Sequence, residues 1–394
     1  MSARANALRR AAAGVVAAAF LALAPAASAG EPERALKGVL EAIDANRLDL
    51  AMRRVEALIA EHPNFRLAYL IRGDLLLARA RPLQTFGDVP KTVPRDKVEG
   101  LREEALLRLR ALRDRPDGRV PSYVLQLGPE QKHVLVVDSH RSRLFEFENV
   151  DGRPRYVADY YVTLGKNGVE KTREGDQKTP LGVYHVTANL PRQKLTDFYG
   201  SGAFPINYPN AWDRSLGRNG HGIWLHGTPS DTYSRPPRAS DGCIVLANAD
   251  LDAVGPRLQI GLTPVIIADE IDWTDAATLE QERAGLAAAF EAWRADWESR
   301  DSSRYLSHYA KGFTSGDQEN LASWSEHKRA VNAGKSWIKV GVSRVSMLQY
   351  PRERFVVVSF DQDYRSSNLS NAMRKRQYWI REDGRWRILY EGGA

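Results

Sequence analysis

The chain has 394 residues, with 56 Lys and Arg against 49 Asp and Glu, for a net charge of +7. A basic balance suits an anionic surface such as a membrane or a wall polymer; no nucleic-acid module is recognisable, so a nucleic-acid partner is not expected. The single cysteine, Cys243, excludes a disulfide framework and leaves two readings, a buried small hydrophobe or a retained thiol.

The chain opens MSARANALRRAAAGVVAAAFLALAPAASAG. Arg4, Arg9 and Arg10 form a positive start, Ala11 to Leu23 an apolar run too short for a comfortable span, and Ala27-Ser28-Ala29 a small-residue cleavage site. Residues 1–29 are therefore expected to be a signal peptide, with Gly30 as the mature start and the periplasm or cell envelope as the destination. About 365 residues would remain, enough for two or three domains.

Residues 30–120 predict helices. Leu48, Ala51, Val55, Leu58 and Ile59 recur at helical spacing; His62-Pro63-Asn64 interrupts them; Leu67, Leu70, Ile71 and Leu75 resume. The pair resembles one tetratricopeptide (TPR-like) unit, and a further Leu- and Arg-rich helix is expected over 96–113. From residue 121 the period shortens. HVLVVD and the runs after it, split by Asp151-Gly152, predict antiparallel strands with a hairpin, and GVYHV, GIWLH, CIVLA and PVIIA continue the pattern to residue 268. The loop over roughly 188–220, rich in Asn, Pro, Gly and aromatics, has the composition of a binding loop. Residues 269–281 read as a linker. Over 282–394 a helix with Leu286, Phe290, Trp293 and Trp297 on one face precedes three strand-like stretches. That order resembles the NTF2-like or SnoaL-like cone, for which a binding or dimer role is expected. The expected fold class is multidomain α+β: a helical front, a mostly-β centre and an α+β tail.

In GIWLHGTPSDTYSRPPRASDGCIVLANADL, His226 ends one strand-like run and Cys243 opens another seventeen residues later. If the strands pair, imidazole and thiol meet, and an imidazolium would lower the thiol pKa and leave a thiolate nucleophile. The Gly242 and Cys243 amides could then stabilise an oxyanion, and the Gly227 carbonyl could orient the histidine. A core cysteine beside an unrelated histidine is the competing reading. No closely spaced ligand pairs are present, so no metal site is expected.

The stretch resembles the YkuD-type L,D-transpeptidase catalytic domain in His226-Gly227, then Ser240-Asp241-Gly242-Cys243, Ile244 and Asn248, and in the upstream Gly175 to Tyr184 element GDQKTPLGVY. The resemblance spans about 121–268. It implies Cys243 as nucleophile, His226 as base, Gly227 as orienter, Gly242 and Cys243 as oxyanion donors, and Tyr208, Trp224, Ser240 and Asp241 as substrate contacts, with Trp212 and Arg238 as weaker ones. No cofactor is needed. Asp241 stands where the family has histidine and Val245 where it often has arginine, which points toward the divergent YafK-like branch, whose members can hydrolyse wall linkages. The implied activity is acyl transfer on peptidoglycan stem peptides through a Cys243 thioester, the acceptor being another stem peptide or a wall-linked protein. Hydrolysis by an L,D-carboxypeptidase or endopeptidase is the alternative. A non-catalytic wall-binding scaffold, recruiting partners through the helices and the tail, is the contrasting class.

Overall fold

The computed structural model describes residues 31–88, 95–111 and 116–394. The expected signal peptide lies outside the described residues. No helix among those described is long and apolar enough to cross a membrane.

Four helices open the chain: α1 (Glu31–Asp44), α2 (Leu48–Glu61), α3 (Arg66–Ala78) and α4 (Arg95–Ala111). Ala51, Val55 and Leu58 bury against Leu67, Ala68 and Ile71 as the helical spacing requires, whereas Leu48 is exposed. The same core takes in Tyr233 and Ala247 from the central domain, so these helices rest on that domain rather than standing apart.

The central strands are β1 (Val120–Pro121), β2 (Val124–Gln126), β3 (His133–Asp138), β4 (Arg143–Val150), β5 (Arg153–Tyr161), β6 (Leu164–Gly165), β7 (Gly182–His185), β8 (Leu190–Pro191), β9 (Gly202–Pro205), β10 (Trp224–His226), β11 (Arg238–Ser240), β12 (Ile244–Val245), β13 (Pro264–Ala268) and β14 (Trp273–Thr274). Two short helices interrupt them, α5 (Ala211–Ser215) and α6 (Asn248–Val254). A five-stranded sheet runs β5-β4-β3-β13-β7 and a four-stranded one β12-β10-β9-β8. Leu135, Val137 and Leu144 pack with Leu225 and Ile244 in a core shared by the two sheets, while Val134, Val136, Phe145 and Phe147 form a second core with Trp273 and Leu348. The first sheet is thus covered on both faces, which is why HVLVVD reads as an unbroken apolar run.

The tail holds α7 (Ala276–Ser299), α8 (Ser302–Leu306), β15 (Tyr309–Ser315), α9 (Leu321–Ala333), β16 (Ile338–Gln349), β17 (Phe355–Ser366), β18 (Ser370–Glu382) and β19 (Arg385–Gly393). Asp275 caps α7, its side chain accepting from the Ala277 and Thr278 amides, so the helix starts inside the stretch expected to be a linker. Leu286, Phe290, Trp293 and Trp297 are all buried against the curved sheet, as their spacing predicts. The sheet order is β15-β19-β18-β17-β16-β2. Its last member, β2, comes from the central segment, and β1 pairs with β14. The sheets therefore cross the boundaries expected at 121 and 269, because main-chain pairing is satisfied wherever an edge is free.

Trp212 belongs to this junction rather than to a substrate surface. Its ring lies 4.8 Å from Phe355, and its indole N–H donates to Glu353 at 3.1 Å.

Candidate active site

His226 and Cys243 come together because β10 and β12 pair in parallel, with Leu225 opposite Ile244 and His226 opposite Val245. Leu225 and Ile244 point into the core, both fully buried. Side chains alternate along a strand, so His226 and, by continuing the register one residue, Cys243 emerge together on the other face. Residues 227–243 form the detour that a parallel pairing needs, and β11 within it pairs in parallel with β6.

The imidazole is fixed from behind. His226 Nδ1 lies 2.7 Å from the Gly227 carbonyl. A carbonyl can only accept, so Nδ1 carries the proton and the lone pair of the neutral ring is on Nε2. That carbonyl shares its peptide unit with the Thr228 N–H, which donates to Asn248 Oδ1 at 3.1 Å. Asn248 Oδ1 also accepts from Ser201 N at 2.9 Å, and its Nδ2 donates to the Thr228 carbonyl at 2.8 Å. A planar peptide turns as one body. Asn248 thereby sets the direction in which the Gly227 carbonyl faces the ring, and a Cβ on Gly227 would collide with Asn248 Oδ1.

The thiol is fixed in the same manner. Thr179 Oγ1 donates to the Gly242 carbonyl at 3.0 Å and accepts from Gly165 N at 3.0 Å. The Gly242 carbonyl and the Cys243 N–H belong to one peptide unit, so Thr179 aims the Cys243 amide. Gly242 has φ +125°, and a Cβ there would lie 2.7 Å from the Lys178 carbonyl, so only glycine fits. Upstream, the Asp176 carboxylate gathers Lys171 Nζ at 2.8 Å and the Thr172 and Lys178 amides at 2.9 and 3.1 Å. Those bonds outweigh its burial and draw its pKa down to about 2. The GDQKTPLGVY element is thus a loop braced by Asp176 that delivers Thr179 to the nucleophile's backbone.

Several expected contacts take other roles. Ser240 is buried; its Oγ donates to the Cys243 carbonyl at 2.7 Å and accepts from Gly242 N at 3.1 Å. It closes the turn, and it removes the Gly242 amide from the expected oxyanion pair. Tyr208 is also buried, its hydroxyl donating to the Asn219 carbonyl at 3.1 Å and its ring packing on Tyr184 at 6.0 Å, because its aromatic body completes the main core. Asp241 is exposed and accepts from Lys166 Nζ at 2.9 Å and Gln177 Nε2 at 3.0 Å. Arg238 is exposed and pairs with Glu103 at 3.5 Å. Trp224 stays at the site, half-buried, with its ring 4.9 Å from Tyr199.

The electrostatics differ from the expected ion pair. Burial pushes the Cys243 thiol up to about 11; an amide hydrogen bond from Trp224 opposes this, Asp241 adds to it, and Arg235 and Lys171 act against it. Burial pulls His226 down to about 4 against the Gly227 bond, and the Arg235 charge lowers it further. Near neutral pH both groups are uncharged, the sulfur donating to the Gly222 carbonyl at 3.3 Å. Cys243 keeps intermediate exposure, so the thiol is not sealed in the interior.

Sequence reasoning missed Phe198, Tyr199 and Arg235. Phe198 and Tyr199 lie 5.7 and 5.1 Å from the His226 ring, and the Arg235 guanidinium lies 4.8 Å over Phe198. The aromatic-rich composition of 188–220 was a signal for the first two; nothing local distinguished Arg235 from its neighbours. The loop that carries Arg235 is gripped by the front helices: Tyr233 lies 4.2 Å from Phe65, and Ser234 Oγ donates to Glu104 at 2.7 Å.

The class defined by fold and site is a two-sheet β domain presenting one thiol and one imidazole on adjacent parallel strands. Residues 132–267 match the family model of the L,D-transpeptidase catalytic domain, YkuD, and residues 285–392 match that of the Cds6 C-terminal NTF2-like domain. The chain therefore joins a YkuD-family domain to a Cds6-type NTF2-like domain. Among solved structures, Bd1075 of Bdellovibrio bacteriovorus is similar at 28% identity and a TM-score of 0.61, covering 70% of this chain and 98% of that one. The helical cell shape determining protein Pgp2 of Campylobacter jejuni is similar at 26% identity and a TM-score of 0.58, covering 68% of this chain and 95% of that one. A search of curated protein sequences returns no match.

Proposed function

We propose that the protein is an exported cysteine acyltransferase that acts on peptidoglycan stem peptides in the cell envelope. One observation carries the reading: Cys243 and His226 share a sheet face, with Nδ1 tied to the Gly227 carbonyl and the lone pair left on Nε2. Because both groups are neutral, the thiol is activated as it attacks, by general-base transfer to Nε2, rather than standing ready as a thiolate. Sulfur bonds to the carbonyl carbon of the L-centre residue before the terminal D-residue while its proton passes to His226. The Cys243 N–H, aimed by Thr179, is the donor left for the oxyanion. His226 then gives the proton to the departing amine, and a thioester remains on Cys243.

An acceptor amine, deprotonated by His226, takes the acyl group and makes a crosslink, which is L,D-transpeptidation. Water as acceptor makes the protein an L,D-carboxypeptidase. That second reading is favoured by Asp241 at the family's histidine position and by the likeness to a cell-shape determinant. Incubation with disaccharide-tetrapeptide, followed by mass spectrometry, tests both. A Cys243-linked acyl adduct is expected, with crosslinked dimers for transfer and tripeptide alone for hydrolysis. Retained binding with no adduct would leave a wall-binding scaffold.

A further inference from the structure

We propose that Arg235 is the carboxylate-recognition residue of the Cys243 site, selecting peptides with a free carboxylate beside the scissile bond; this rests on the acyl-transfer reading above. Among the described residues, Arg235 stands in no ion pair, whereas Arg143, Arg218, Arg238 and Arg257 of the same domain each contact an acidic side chain. It is half-buried, and burial disfavours its charge. A half-buried guanidinium that no carboxylate contacts directly keeps its N–H donors free for an anionic ligand.

The carboxylates that act on it are engaged elsewhere. Asp241 accepts from Lys166 and Gln177, and Asp231 accepts from the Thr232 hydroxyl at 2.9 Å. The position of Arg235 is set independently of its side chain. Its carbonyl accepts from Tyr161 Oη at 3.0 Å and Thr163 Oγ1 at 2.9 Å, and the guanidinium carbon lies over Phe198, whose ring neighbours His226. Its charge reaches both the thiol and the imidazole. A planar fork of N–H donors held over the ring that packs on His226 matches a carboxylate in two-point contact. Two groups of a stem peptide could supply it, the terminal carboxylate of the departing residue or a side-chain carboxylate on the acyl donor.

The test uses the full-length protein and three synthetic tetrapeptides: the free acid, the C-terminal amide, and the amide of the acyl donor's side chain. Binding is measured by calorimetry in a Cys243→Ala background, and acylation by kcat/KM with Cys243 intact. The free acid is expected to bind about 10- to 100-fold better than one of the two amides, the usual value of a charge-assisted bond, and the amide that loses affinity identifies the carboxylate. Arg235→Gln is expected to bind acid and amide alike, and Arg235→Lys to keep part of the preference. An effect exerted only through the His226 pKa would move the acid limb equally for all three peptides and leave their ratios unchanged. Equal binding of the three peptides to the Cys243→Ala protein, no binding of any, or a preference that survives in Arg235→Gln overturns the assignment. Arg235-dependent discrimination without any acyl adduct would sink the acyl-transfer reading and leave the carboxylate site standing.

Discussion

Removing the Asn248 side chain should damage both the stability of the central domain and the chemistry of the site. In Asn248→Ala the amides of Ser201 and Thr228 lose an acceptor and the Thr228 carbonyl loses a donor. Ser201 is half-exposed, so water can replace its bond at a cost of well under about 1 kcal/mol. Thr228 is only 1% exposed, so its two groups stay unpaired at about 1–2 kcal/mol each. The sum is about 3 kcal/mol. The chemical effect follows from the shared peptide unit: once the Thr228 N–H is free, the Gly227 carbonyl can swing away from Nδ1, and His226 loses its fixed tautomer and direction. Urea unfolding followed by central-domain fluorescence should record the destabilisation, amide exchange at Thr228 should accelerate, and acylation should fall by about tenfold or more. A variant within about 0.5 kcal/mol of the parent, with unchanged exchange at Thr228, would refute the reasoning.

The thiol, raised from 9.0 to about 11, should alkylate about 100-fold more slowly than an unperturbed cysteine at neutral pH, with a rate that keeps climbing past pH 9; a plateau near neutrality would mean a preformed thiolate. Because the folded-state value is the higher one, the stability that this neutral thiol contributes is complete below about pH 9 and is lost as pH rises toward 11. His226 behaves oppositely. Its folded value of about 4 lies below 6.5, so its contribution is complete above that value and is lost as pH falls toward 4, and the acid limb of kcat/KM for acylation should lie near 4. Gly242→Ala places a Cβ against the Lys178 carbonyl at φ +125°, at about 1–3 kcal/mol of strain, and should abolish adduct formation while Ser240→Ala only weakens it. Trp212→Ala removes the ring packed on Phe355 and Tyr378 and should expose the domain junction to limited proteolysis while sparing adduct formation.

The sequence by itself determined the elements and the reactive groups. The stripe of Leu286, Phe290, Trp293 and Trp297 depends only on helical spacing, and a lone thiol downstream of a His-Gly pair depends only on which residues are present. Local periodicity and residue chemistry are written along the chain and need no partner to be read. What the tertiary structure decided is everything that depends on which distant groups meet. Parallel pairing of β10 with β12 put thiol and imidazole on one face. Thr179, sixty-four residues before Cys243, and Asn248, twenty-two after His226, each hold a peptide unit of the site by its far side. Ser240 and Tyr208 were polar or aromatic residues in the right motif, yet burial turned one into a turn clasp and the other into core. Burial also set the protonation states: desolvation by the surrounding fold outweighs every nearby charge at both Cys243 and His226, and no reading of neighbours along the chain supplies that balance.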